Sequence, residues 1–156
     1  MSFWKKYNSY SGRQKWFIVN RIAVIIVENF EQDLLRNFVV TLDKTVTNRF
    51  GIKVPLLEYI KTHFSINYKL ILSNDQIKDL YLISFQVLTC LYYKTQQLKC
   101  IEYVENGCKN QQYWEKKQVE FEQQYNNLKD HLISIGYNFE YIPKPIVSSQ
   151  LFVLEK

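Results

Sequence analysis

Polar and apolar positions change their period several times along the chain. Residues 1–13 mix polar and aromatic residues with no period and read as an N-terminal arm. Residues 16–30, WFIVNRIAVIIVENF, are dense in Val and Ile, which suit a pleated surface better than a helix. The run is long for one strand, and an apolar run alone does not separate strand from helix. Strand is the preferred reading and helix the alternative. EQDLLR (31–36) reads as a turn, and NFVVTLDKTVT (37–47) as a second strand. Phe38, Val40 and Leu42 fall on one of its faces, and Val39, Thr41 and Asp43 on the other. NRFGIK (48–53) carries the glycine of a turn. Pro55 then suits the first turn of a helix over 55–64, with Leu56, Leu57, Ile60 and Phe64 at helical spacing.

INYKLIL (66–72) alternates like a third strand, and SNDQIKD is a polar break. LYLISFQVLTCLYYK (80–94) gives the clearest alternation of the chain. Ile83, Phe85, Val87, Thr89, Leu91 and Tyr93 fall on one face. TQQ connects it to LKCIEYVE (98–105), read as a fifth strand in a hairpin. After Gly107 the pattern changes. Residues 110–135 hold no Gly or Pro, and Trp114, Phe121, Tyr125, Leu128, Leu132 and Ile135 form a heptad-like stripe. Gly136 stands where a helix-ending glycine belongs. The tail, 137–156, has two prolines and an apolar end that could add a strand or lie over the sheet. Short strands, an internal helix and a long closing helix fit a five-stranded OB barrel with a C-terminal helix, in a single domain of 156 residues.

Composition adds little chemistry. Ala23 is the only alanine, while Lys, Asn, Tyr, Ile and Phe are abundant, as an AT-rich coding sequence would give. The twelve Gln fit a genetic code that reads two stop codons as Gln, as in ciliates. The net charge of +5 is compatible with a nucleic-acid partner but does not demand one, and a solvated basic surface is the preferred reading. Cys90, Cys100 and Cys108 are spaced by ten and eight, which matches no zinc site, and they read as buried thiols in a reducing compartment. The N-terminus has no signal-peptide core, and the apolar run 17–27 is too short to span a bilayer.

Phosphate-loop, dinucleotide, nucleophile-elbow and zinc-protease motifs are all missing. His63 and His131 stand far apart, and no pair of carboxylates has a spacing that suggests acid–base work. The expectation is a binding module with no catalytic residues, no cofactor, no metal and no small-molecule substrate.

The stretch from Tyr81 to Leu132 resembles the small OB-fold subunits of telomere and replication single-strand-binding complexes. These are the smallest subunit of the CST complex and its counterpart in replication protein A, a family with a ciliate telomerase accessory subunit among its members. The residues that carry the resemblance are LYLISFQVLTCLYYK, LKCIEYVENG and NQQYWEKKQVEFEQQYNNLKDHL, which would supply two strands running into a C-terminal helix. The resemblance implies a non-catalytic, nuclear, telomeric subunit that heterodimerises with a larger OB-fold partner. It would reach single-stranded telomeric DNA through the complex.

On that reading the stripe of Trp114, Phe121, Tyr125, Leu128 and Leu132 either covers the chain's own barrel or packs on a partner helix, with Trp114 and Tyr125 as anchors. Tyr92, Tyr93, Lys94 and Lys99, flanking the hairpin, could instead stack and neutralise a single strand directly. A third reading makes 16–35 and 75–96 helical, and the chain an all-helical protein–protein adaptor.

Overall fold

The computed structural model describes residues 12–152. In chain order they form α1 (Gly12–Asn37), β1 (Thr45–Thr47), β2 (Lys53–Pro55), α2 (Leu56–Tyr68), α3 (Asn74–Glu105), α4 (Gln111–Ser134), a 3-10 turn (Phe139–Tyr141) and α5 (Lys144–Val147). Helix accounts for 72% of the described residues, and the only sheet among them has two strands. That excludes the five-stranded OB barrel, since a barrel needs closure that two three-residue strands cannot give. The N-terminal arm falls almost wholly outside the described residues. The chain divides into two compact units, Met1–Ser84 and Phe85–Lys156.

In the first unit, the segments expected as strand 16–30 and turn 31–36 are one helix, α1. Its Val and Ile content is tolerated because the helix is buried all round from Ile22 to Val27. A helix enclosed on every side shows no polar face, so its period is hidden. Ile18, Ile22, Ile26, Phe30 and Leu34 still recur every four residues, and all are buried. The helix kinks at Phe30 (φ −131°, ψ 27°), where the Asn29 side chain donates to the Ile25 carbonyl at 2.8 Å. Of the strand expected over 37–47, only Thr45–Thr47 is extended. The turn at 48–53 is present and joins β1 to β2 in an antiparallel hairpin, with Thr45 opposite Pro55 and Thr47 opposite Lys53.

The helix expected at Pro55 is α2, and it buries Leu56, Ile60 and Phe64 as the spacing required. It continues through Ile66 to Tyr68, so the third strand at 66–72 is absent. Lys69 ends the helix in the left-handed region, at φ 51°. The start of α3 also lies in this unit. The Ser84 hydroxyl, buried there, lies 2.7 Å from the Leu80 carbonyl and 2.9 Å from the Val19 carbonyl, which share its one hydrogen.

The expected strands at 80–94 and 98–105 are a single helix, α3, which runs across the unit boundary. The alternation was coincidental. Buried Ile77, Leu80, Ser84, Val87, Leu91 and Thr95 recur at three and four residues, the period of one helix face. No Gly or Pro occurs from residue 56 to 106, and Thr95-Gln96-Gln97 offers no turn chemistry. Both Thr95 and Gln97 are buried side chains on the helix.

In the second unit, α3 from Phe85 and α4 form a helical hairpin. Tyr103 meets Trp114 at 4.8 Å, Tyr93 meets Phe121 at 6.4 Å, and the Cys90 thiol lies 3.8 Å from the Tyr125 carbonyl. Those pairs descend one helix as they climb the other, so the helices are antiparallel. The bounds of α4 match the expected 110–135 helix closely. Gly136 (φ 104°) closes it: its N–H donates to the Ile133 carbonyl and the Tyr137 N–H to that of Leu132, both at 2.9 Å. Among its described residues, 137–152, the tail adds no strand. It folds as the 3-10 turn and α5, and buries Ile146, Leu151 and Phe152.

Candidate functional site

The first unit contains a cleft of about 430 Å³ between the β1–β2 hairpin and α2. One wall is Asn48, Arg49, Phe50 and Val54, and the other is Glu58, Tyr59, Thr62, His63, Ile66 and Asn67. The volume is that of a pocket for a small ligand or for one or two side chains.

Local sequence fixes both walls. The Asn48 side-chain carbonyl accepts from the N–H groups of Phe50 (2.9 Å) and Ile52 (3.0 Å), and its backbone N–H donates to the Ile52 carbonyl at 2.9 Å. Gly51, at φ 76°, supplies the left-handed residue that closes this loop. Arg49 and Phe50 are thereby held at the tip, with the guanidinium 4.9 Å over the Phe50 ring. Pro55 gives α2 no side-chain cap. The N–H groups of Leu56 and Leu57 instead donate to the carbonyls of Lys44 (2.7 Å) and Leu42 (3.0 Å). Those bonds satisfy two orphan donors and pin the helix to the chain leading into the hairpin. With Leu56, Ile60 and Phe64 turned inward, residues 58, 62, 66 and 59, 63, 67 form the opposite face.

His63 is the titratable ring of the cleft that α1 reaches. Arg21 Nε donates to its Nε2 at 3.1 Å. A guanidinium has no acceptor, so Nε2 is bare and the neutral ring carries its proton on Nδ1. The Asn67 Nδ2 group donates to the His63 carbonyl at 3.0 Å and, being a donor like Nδ1–H, makes no hydrogen bond with Nδ1 3.2 Å away in that tautomer. Burial and then the Arg21 charge hold the imidazole below its ordinary value of 6.5. Tyr59 stacks near it, and Phe64 and Tyr68 meet it edge-on. Because Arg21 occupies the Nε2 lone pair, the ring is poorly placed to take a proton from an occupant. The other lining groups offer charge, hydrogen bonds and apolar surface, which are means of binding.

The residues singled out from the sequence lie in the second unit. Trp114, Phe121, Tyr125 and Leu128 are half-buried and Leu132 is fully buried, and the ring contacts above turn the stripe toward α3. It is the seam of the unit's own helical hairpin. Tyr92, Tyr93, Lys94 and Lys99 flank no strand turn, since all four are on α3. Lys94 lies 5.2 Å over the Tyr125 ring and Lys129 5.4 Å from the same ring. The second unit carries eight Lys or Arg against eight Asp or Glu, whereas the first carries twelve against seven. The chain's net positive charge therefore belongs wholly to the unit that holds the cleft.

Cys90 and Cys100 are buried, as expected, and Cys108 is half-buried. Burial pushes the Cys90 thiol up to about 12, outweighing the opposing pull of Lys129. Among the described residues no group of His, Cys, Asp or Glu could hold a metal ion, and no helix is long and apolar enough to cross a membrane.

Sequence reading missed the cleft. Its signal was a second stripe on α2 (Glu58, Thr62, Ile66 beside Tyr59, His63, Asn67), which the expected helix end at residue 64 and the expected strand from residue 66 cut in two. The strand–strand–helix order that carried the family resemblance is replaced by α3 and α4. No family model, curated protein or solved structure matches the chain.

Proposed function

We propose that this chain is a non-catalytic helical adaptor that docks a partner protein in the cleft between the hairpin and α2. The observation that carries this reading is the exposed apolar rim. Phe50 and Ile66, on opposite walls, are 69% and 52% exposed, and Ile52, two residues along the hairpin from Phe50, is 58% exposed. Large apolar residues gathered at a concave site mark an interaction surface more often than single scattered ones do. A rigid backbone framework beneath them, built from the Asn48 loop and the pinned start of α2, lowers the ordering cost of binding. The half-buried stripe of α4 is less suited to the same task, because α3 already occupies it.

The test is affinity purification of tagged full-length chain from cells that express it, comparing wild type with a Phe50→Ala/Ile66→Ala variant. Both side chains are exposed, so the variant keeps its helical circular dichroism and melting temperature. The expected result is loss of a stoichiometric partner, with each truncation costing about 2 kcal/mol of binding. Undiminished recovery by the folded variant would reject the cleft as the docking site.

A further inference from the structure

We propose that the cleft selects a partner segment presenting one apolar side chain flanked by a carboxylate and by a Lys or Arg side chain, an inference that rests on the docking reading above. Arg49 on the hairpin wall and Glu58 on the helix wall line the same cleft. Neither forms an ion pair with any described residue, and they do not pair with each other. Glu58 sits in the first turn of α2, at the positive end of the helix dipole. Arg49 presents a planar fork that matches a carboxylate bidentately. Val54 and Ile66 line the same cleft and offer apolar surface for an anchor side chain.

The two charges set the partner's chemistry by complementarity. A purely acidic segment, or a phosphate backbone, would satisfy Arg49 and be repelled by Glu58. A purely basic segment meets the reverse. Only an occupant carrying both signs satisfies both walls, and like-charge contact is an effective means of rejecting the others.

A random-peptide display library panned on the full-length chain tests this. The wild type should enrich peptides with an apolar residue flanked by an acid and a base. Arg49→Glu should replace the selected acid with a base, Glu58→Lys should replace the selected base with an acid, and each should weaken a wild-type-selected peptide by about tenfold. Both positions are exposed, and circular dichroism confirms the variants fold. A charge preference that is absent, or that is unchanged in both variants, overturns the inference. If such peptides still lose binding with Phe50→Ala/Ile66→Ala, docking in the cleft stands without the charge code. If that variant binds them as well as wild type does, the docking reading falls as well.

Discussion

Arg21 donates a hydrogen bond from Nε to Nε2 of His63 at 3.1 Å, tying α1 to α2 behind the cleft. Protonating His63 would remove the acceptor and set two cations against each other. The folded imidazole is held below 6.5, so the unfolded chain binds the proton more readily. Stability from this contact is therefore complete above pH 6.5 and is lost as pH falls through the lowered value. The urea midpoint of the first unit should drop between pH 7.5 and 5, and His63→Gln, which keeps an acceptor without titrating, should flatten that slope. Identical pH profiles for the two proteins would show that His63 is not the titrating group.

A second pairing marks where α3 begins. The Ser73 hydroxyl accepts from the Gln76 N–H at 3.2 Å, and the Gln76 side chain accepts from the Ser73 N–H at 2.8 Å. This is a capping box, S-x-x-Q, satisfying two donors reciprocally. Ser73→Ala should lower stability by about 1 kcal/mol. Gln76→Ala should remove only the second bond, because each substitution deletes one side-chain acceptor and leaves in place the backbone N–H that the other side chain accepts from.

That box was legible in SNDQ and was passed over as a polar break. Two of the helices were legible in the same sense, though the fold class was not. Pro55 with Leu56, Ile60 and Phe64 defined α2, and Trp114 through Leu132 with Gly136 defined α4, because each has a polar face that reveals its period. The failures share one cause. α1 is enclosed on all sides around Ile22–Val27, and the face of α3 mixes Ser84, Thr95 and Gln97 into its buried positions. Without a polar side, β-branched residues were weighed by propensity, and tertiary burial overrode it. The cleft was illegible for a different reason. Arg49 and Glu58 acquire meaning only when the hairpin folds back beside α2, a relationship that no local spacing encodes.

The stripe of α4 separates structural from exposed positions. Leu132 is fully buried, so Leu132→Ala should cost about 2–5 kcal/mol. Val119, 58% exposed on the opposite side, should tolerate Ala within about 0.5 kcal/mol. Trp114→Ala should lower the melting temperature of the isolated chain, because its ring packs on Tyr103 at 4.8 Å and Tyr113 at 4.9 Å. An unchanged melting temperature for Trp114→Ala would return that residue to the list of partner contacts.

Thiol reactivity should follow burial. Cys108 is half-buried in the loop between α3 and α4, while Cys90 and Cys100 are buried and their thiols are pushed up by desolvation. The thiolate is the reactive species. Iodoacetamide at neutral pH should therefore give one adduct, at Cys108, with the other two reacting only on unfolding. Peptide mapping that found Cys90 modified first would contradict its placement against the Tyr125 carbonyl.

The loop between α3 and α4 depends on Gly107. Its N–H donates to the Val104 carbonyl and that of Cys108 to the Tyr103 carbonyl, both at 3.2 Å, which closes α3 with a Schellman motif. Gly107 sits at φ 68°, and a Cβ there would meet nothing within 4 Å. The penalty for Gly107→Ala is then backbone strain with no steric clash, about 1–2 kcal/mol. Gly107→Asn should cost less, since Asn tolerates the left-handed region better than other side chains. Equal losses for Ala and Asn would indicate a steric cause and would contradict the open space around this glycine. A clear difference would establish that the hairpin of α3 and α4 is set by the conformational freedom of one residue.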